Sequence, residues 1–538
     1  MKLIGGAILG VTALAIAGSA SAADLPSRKS APVAYVKICD VYGRGFYYIP
    51  GTNTCLKVGG RVRFELGWHQ AQNAWIQSAD SQNPLAGAIV TTQPLGRVSN
   101  AFNVGGPTGG NRHLFRSGAA MDTVGWKARA YVNMDARTQT AWGTVQTVFS
   151  IAFRSRSGIW NAGTTNYSVG GQNTASLQTY RAFIRFAGFT VGRAGWLFAS
   201  APGTRFYSSV YSGGSSTGMM QFSYTAVFGG GFSATAALVD KDDFGRQAAI
   251  SSFTNVYIDP VAGIVFGNAA MGNPAALAAP VYPNRLPNAL LSLRLDQGWG
   301  HVQLSAAIGR NHAVYGNGNG FVAPPTRTLN KTGWAIGAEM RIKLPMLARG
   351  DDLNLYVAYA DGLIDMIHSH TVNGSTSKDR RLMGGYRPFH NNLNAYVCGS
   401  VAQVITAMCS QNTKAFVAMA MFTHYWTPQL RSNFGASYMK VTPGSAARNV
   451  DWFLFGGQPV STGWQAIANL VWSPTSGFDI GLEVNYQSTQ NKLACGDGGT
   501  GLLGGFCTPW GSILAPSTIG VKQTPSDWQV RMRLQRTF

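Results

Sequence analysis

Asp527-Trp528-Gln529-Val530-Arg531-Met532-Arg533-Leu534-Gln535-Arg536-Thr537-Phe538 is the last stretch of the sequence. Trp528, Val530, Met532, Leu534 and Phe538 share one parity. Asp527, Gln529, Arg531, Arg533, Gln535 and Thr537 share the other. Period-two alternation marks a strand with one apolar and one wet face. A soluble protein has little reason to end such a strand on an exposed Phe. A strand that closes a barrel inside a membrane does, because closure leaves no open backbone edge in lipid. Arg536 breaks the pattern on the apolar parity, near enough to the end to snorkel to headgroups.

The same alternation recurs upstream. Leu56, Val58, Val62, Phe64, Leu66 and Trp68 face away from Lys57, Arg61, Arg63 and Glu65. Trp126, Ala128, Ala130, Val132 and Met134 face away from Lys127, Arg129, Tyr131, Asn133 and Asp135. Tyr180, Ile184 and Phe186 are set against Arg181 and Arg185, and Phe189 with Val191 against Arg193. Trp334, Ile336, Met340, Ile342 and Leu344 oppose Glu339, Arg341 and Lys343. Further strands are predicted at 145–153, 220–228, 232–238, 291–295, 302–308, 353–359, 416–426, 434–438, 464–472 and 478–486. The 416–426 strand alternates poorly. With the closing strand, paired to 56–68, the total is sixteen.

Short turns (187–188, 229–230, 297–298, 427–428, 473–477) alternate with long segments (69–118, 154–178, 241–287, 361–413, 487–526). An even strand number with short turns at one end and long loops at the other describes a transmembrane antiparallel β-barrel. A soluble β-sandwich also alternates, but without that asymmetry. Trp68, Trp126, Trp196, Trp299, Trp334, Trp426, Trp464, Trp472 and Trp528 fall near strand ends, where rings suit the headgroup belts.

Composition agrees. Of 538 residues 66 are Gly and 12% are charged, and mean hydropathy is zero, which disfavours disorder. Lys and Arg number 43 against 22 acids. The basic residues come singly between apolar neighbours, as a pore lining does, rather than in the clusters of a nucleic-acid face. Residues 1–22 read as a cleaved signal peptide: Lys2, an apolar run, then Ala20-Ser21-Ala22. Residues 23–55 form a linker and a hairpin, and 56–538 the barrel. The six cysteines make three close pairs, Cys39/Cys55, Cys398/Cys409 and Cys495/Cys507. In an exported chain local disulfides are expected, and no spacing suits zinc.

No catalytic constellation, metal site or cofactor motif stands out. His368 and His370 lie in a long loop, and Glu339 and Glu483 are single acids on separate strands. The wet parity carries a sign bias instead. Arg61, Arg63, Lys127, Arg129, Arg181, Arg185, Arg193, Arg294, Arg341, Lys343, Arg431, Arg531 and Arg533 outnumber Glu65, Asp135, Asp296, Glu339, Asp479, Glu483 and Asp527. Arg at a lipid-facing midplane costs about 2–4 kcal/mol, so these cations belong in a wet lumen, where they favour anions. Part of the basic excess is offset by pairing with those acids. Residues 195–212 are aromatic, with Trp196, Phe198, Phe206, Tyr207 and Tyr211, and Arg205 is their one ion. Folding inward to constrict the pore would bury those rings; a subunit contact is the rival.

Cys39-Asp-x-Tyr-Gly-x-Gly-Phe-Tyr-Tyr-Ile-Pro-Gly-Thr-x-Thr-Cys55-Leu-Lys-Val-x-Gly60-x-Val-Arg63 resembles the N-terminal signature of the alphaproteobacterial general porins. The resemblance implies a homotrimeric sixteen-stranded barrel in a Gram-negative outer membrane, among lipid and lipopolysaccharide. It also implies passive diffusion of small hydrophilic solutes past an inward-folded third loop. Phe538 then resembles the end that the barrel assembly machinery reads. Such porins commonly set loop acids against a basic wall; 195–212 has no Asp or Glu, which favours weak anion preference. A solute-specific channel for sugars or carboxylates, tracked by the loop aromatics, and a plugged adhesive barrel are the alternatives.

Overall fold

A strand satisfies its backbone groups sideways, and sixteen strands in a ring satisfy one another. The computed structural model describes residues 37–69, 75–76, 115–116, 123–158, 174–200, 218–240, 256–259, 263–266, 285–315, 327–367, 395–398, 409–444, 460–493, 521–523 and 526–538. The wall runs β1 Thr54–His69, β2 Val124–Thr140, β3 Gly143–Arg156, β4 Thr174–Phe186, β5 Phe189–Ala194 and β6 Met219–Gly229. It continues through β7 Phe232–Val239, β8 Asn288–Gln297, β9 Gly300–Tyr315, β10 Arg327–Lys343 and β11 Asp352–Asp361. The last strands are β12 Lys414–Thr427, β13 Leu430–Thr442, β14 Val460–Thr475, β15 Phe478–Leu493 and β16 Ser526–Thr537. Neighbours are antiparallel, and β16 pairs with both β15 and β1, so the barrel closes at the expected seam. Every expected strand is present, most of them longer than their apolar runs.

The short connections share one end of the barrel. Gly230-Gly231 turns β6 into β7 and Pro428-Gln429 turns β12 into β13, each one residue later than expected. Ala187-Gly188 falls where expected, with φ of 48° and 85°, the pair of positive angles that a type I′ hairpin needs. Outward side chains are apolar and exposed. Trp68, Trp126, Trp334, Trp464 and Trp528 lie toward the loop end; Trp299, Trp426 and Trp472 lie toward the turn end. Rings link across strands in the upper belt, Trp464 to Tyr486 at 4.9 Å and Tyr486 to Trp528 at 4.7 Å. Trp196 is the exception, packed against the interior.

At the seam Phe538 exchanges two backbone hydrogen bonds with Gly60, and its ring lies over that glycine. A Cβ on residue 60 would sit 2.8 Å from the Tyr131 carbonyl oxygen as well as 2.6 Å from the ring's Cζ, which favours Gly there. Arg536 is exposed and donates to the Ser476 carbonyl (2.9 Å) in the β14–β15 turn.

The N-terminal hairpin is stapled by Cys39–Cys55. Its Tyr47 and Tyr48 pair with Leu56 and Cys55 of β1, and Phe46 is buried against Tyr42 with the Lys57 and Arg137 cations nearby. Cys398 and Cys409 are paired in the backbone register of a two-stranded ribbon, Ala395–Cys398 with Cys409–Asn412. Cys495, Cys507, residues 1–22, His368 and His370 lie outside the described residues.

Two parity expectations are corrected. Tyr180 points inward and is 8% exposed, because the β3–β4 register shifts between Ser150 and Ile151 and the bulge reverses the alternation of β4. Arg193 shares the parity of Phe189 and Val191 and pairs with Ala182 and Met220, so the register does not place it with the inward set.

Candidate functional site: the barrel interior

The interior has two unlike walls. On β16 and β1–β4 the inward parity is polar and its charges are mostly basic, while neighbouring β15 presents Asp479, Glu483, Asn485 and Gln487. Register alone builds this wall in rows. Arg63, Arg129 and Arg154 lie side by side on β1, β2 and β3. The next row is Arg533, Glu65, Lys127 and Arg156 on β16 and β1–β3. Below Arg63 the row is Arg61, Tyr131 and Ala152.

Glu65, 3% exposed, holds the second row together. Arg533 Nε donates to it (2.8 Å), and Lys127 pairs with its other oxygen. The first row is bound differently. Arg129 donates to the hydroxyls of Tyr131 (2.7 Å) and Tyr180 (2.8 Å), whose rings meet edge to face at 5.0 Å. Arg61 stacks on the Tyr131 ring at 4.1 Å, and Arg63 donates twice to the Gln535 amide oxygen (2.9 and 2.7 Å). Around Arg61, Arg63 and Arg129, phenols and an amide thus stand where carboxylates would neutralise the guanidiniums.

The remaining predicted interior residues are spread around the ring. Arg341 pairs with Asp352 (2.6 Å), and Arg294 pairs with Asp296 (2.7 Å). Arg431 bonds Ser473 (2.7 Å) and lies 3.4 Å from Asp479. Lys343 Nζ donates to the Gly298 carbonyl at the turn end. Arg185 reaches Thr190, and Arg181 its neighbour's carbonyl. Asp135 takes Arg137, and Glu483 faces Arg531 in register while accepting from Asn469.

The opposite wall carries an apolar patch toward the loop end, with Asn354, Thr423, Asn433 and Asn469 on its inward parity nearer the turns. Ala415, Val417, Met419 and Met421 of β12 point inward with Ala358 and Ala360 of β11, Met439 and Val441 of β13 and Ile467 of β14. That is why 416–426 alternates poorly: both of its faces are apolar. Two chain segments cover this wall from within. One is Leu363 with the single-turn helix α1, Ile364–Ile367, whose last carbonyl accepts from Tyr356 Oη (3.0 Å). The other is the start of the third loop, where Phe198 is 1% exposed. The Phe198 ring lies over Gly337, where a Cβ would come within 2.7 Å.

Residues 195–200 therefore run inside the barrel, as expected. Gln221 donates to the Gly195 carbonyl (2.8 Å) and Gln303 to the Leu197 carbonyl (2.8 Å), while Ala199 N–H donates to Ser305 (3.0 Å). Ser200 N–H donates to Glu339, which also meets His301 (3.2 Å) and Arg294 (3.6 Å). Glu339, expected as a lumen charge, is this loop's anchor. Arg205, Phe206, Tyr207 and Tyr211 lie outside the described residues.

The family model described as "Porin subfamily" matches residues 24–92 and 95–502. The chain belongs to the porin subfamily. The porin is a β-barrel of the Gram-negative outer membrane. It is 32% identical to Porin Omp2b of Brucella abortus over 124 residues, 20% of this chain and 34% of that one. It is 28% identical over 183 residues to the outer membrane protein y4fJ of Sinorhizobium fredii, 34% of this chain and 39% of the other. It thus spans less than two-fifths of the length of each of these relatives. The outer membrane channel DcaP of Acinetobacter baumannii is similar at TM-score 0.46 and 12% identity, over 91% of this chain and 99% of that one.

Sequence reasoning missed three things in the porin's interior. Arg154 sits one residue past the predicted 145–153 strand on its wet parity, so a longer strand would have included it. Tyr180 needs the bulge, which leaves no composition signal. The 363–367 segment reads as ordinary loop, and only the apolar inner face of β12 hinted that something covers it.

Proposed function

We propose that this porin is a water-filled passive diffusion pore for small hydrophilic solutes and ions, with weak anion preference, working as a homotrimer. The observation that carries the reading is the register row Arg63–Arg129–Arg154 on an interior wall, in which an amide binds Arg63 and phenols bind Arg129, with Glu65 one row away. Cations fixed along a low-dielectric wall raise the local concentration of anions and lower that of cations. Because the apolar patch of the opposite wall is covered, permeating water and ions run along the basic side. Lipopolysaccharide and outer-membrane lipid surround the barrel in this reading, and Phe538 serves the assembly machinery as its signal. Burial of Phe198 counts against a solute-stacking track made of that ring. Reversal potentials of the purified porin in a KCl gradient across a planar bilayer test the selectivity. A potential of the sign for chloride permeation is expected, and the opposite sign would overturn the anion preference.

A further inference from the structure

Resting on the porin reading, we infer that the basic wall carries a saturable docking site for small oxyanions, carboxylates and phosphates, centred on Arg63 and Arg129 with Tyr131 and Tyr180 as its floor. The site goes beyond a general field because it is built. Arg129 is 5% exposed and held by two phenol hydroxyls, yet among the described residues its Nε has no hydrogen-bond partner. The Arg61 Nε is likewise without one while its guanidinium stacks on Tyr131. A guanidinium is a rigid fork of donors that matches a carboxylate or phosphate edge, and here the forks are fixed by rings rather than spent on acids. The nearest acid in register, Glu65, lies one row away and already binds Arg533 and Lys127.

The bulge strengthens the case. Regular alternation would turn Tyr180 toward lipid; the register shift turns it into the wall, where its hydroxyl completes the Arg129 clamp. Bulges commonly re-aim one side chain at functional positions. Adjacent strands are about 4.8 Å apart, so the Arg63–Arg129–Arg154 row spans about 10 Å. A passing oxyanion can exchange partners between Arg63 and Arg129 without leaving the wall. A neutral sugar offers the forks nothing to hold.

The experiment uses single channels of the full-length porin in KCl, with inorganic phosphate, malonate or neutral raffinose added at fixed ionic strength. Phosphate or malonate is expected to reduce current with a saturating concentration dependence, and raffinose to show none. Arg129→Gln is expected to raise the half-saturating concentration about tenfold, the size of one lost charge-assisted hydrogen bond. Arg63→Gln, at a half-buried position, gives the same readout if the Arg129 variant folds poorly. Linear current at all phosphate and malonate concentrations overturns the site. So does half-saturation unchanged in both variants, or equal retention of raffinose. Anion-signed reversal potentials without saturation leave the diffusion-pore reading standing and remove the site; saturation with cation-signed potentials keeps the site and removes the anion preference.

Discussion

Glu65 shows what single residues do on the basic wall. Like charges directly opposite one another across strands are destabilising, so the Arg63–Arg129–Arg154 row is a standing cost. Glu65 offsets part of it from the next row by taking both Arg533 and Lys127 with a carboxylate 3% exposed. Removing one partner of a buried ionic group costs about 3–5 kcal/mol, because the others keep their charge in a poorly hydrated site. Glu65→Gln is therefore expected to destabilise the barrel by about that amount in urea unfolding from detergent. It is also expected to shift the reversal potential further toward chloride. A change in selectivity without loss of stability would mean that water solvates this row fully.

Individual elements were legible in proportion to how simply their two faces differ. β1, β2 and β16 announce themselves because lipid demands apolar residues on one side and water permits Arg, Lys and Glu on the other. β12 was poorly legible, since its inner face packs Val417, Met419 and Met421 under α1 and therefore lacks polar alternation. The reversal in β4 was invisible, because a bulge inserts one residue without any change in composition. The inward path of 195–200 was legible from its rings, whereas the anchoring role of Glu339 depends on which strand the loop crosses, a property of the closed barrel. The least anticipated element, 363–367, invites a direct test. Ile364 and Ile367 are 1% and 0% exposed against the apolar wall. Replacing each with Ala is expected to cost about 2–5 kcal/mol and to loosen the segment from the wall. Single-channel conductance of the double variant should rise above that of the parent. Unchanged conductance in a destabilised protein would show that this segment packs the wall without bordering the ion path.

For the whole molecule, the division of the interior into a basic side and a covered apolar side decides what kind of selectivity the pore can have. The formal charge of the chain is +21, but only charges along the lumen act on a permeating ion. Their reach is set by screening, about 10 Å at 0.1 M salt and about 3 Å at 1 M. At the lower ionic strength the cations on β16 and β1–β4 overlap into one field across the free part of the lumen. At the higher, an ion feels only the residues it touches. The chloride-to-potassium permeability ratio is accordingly expected to fall toward unity as KCl is raised from about 0.1 to about 1 M. Reversal potentials at fixed gradient ratio measure it. A ratio that holds constant across that range would refute selectivity by a shared field, since direct contacts survive at separations that screening does not reach.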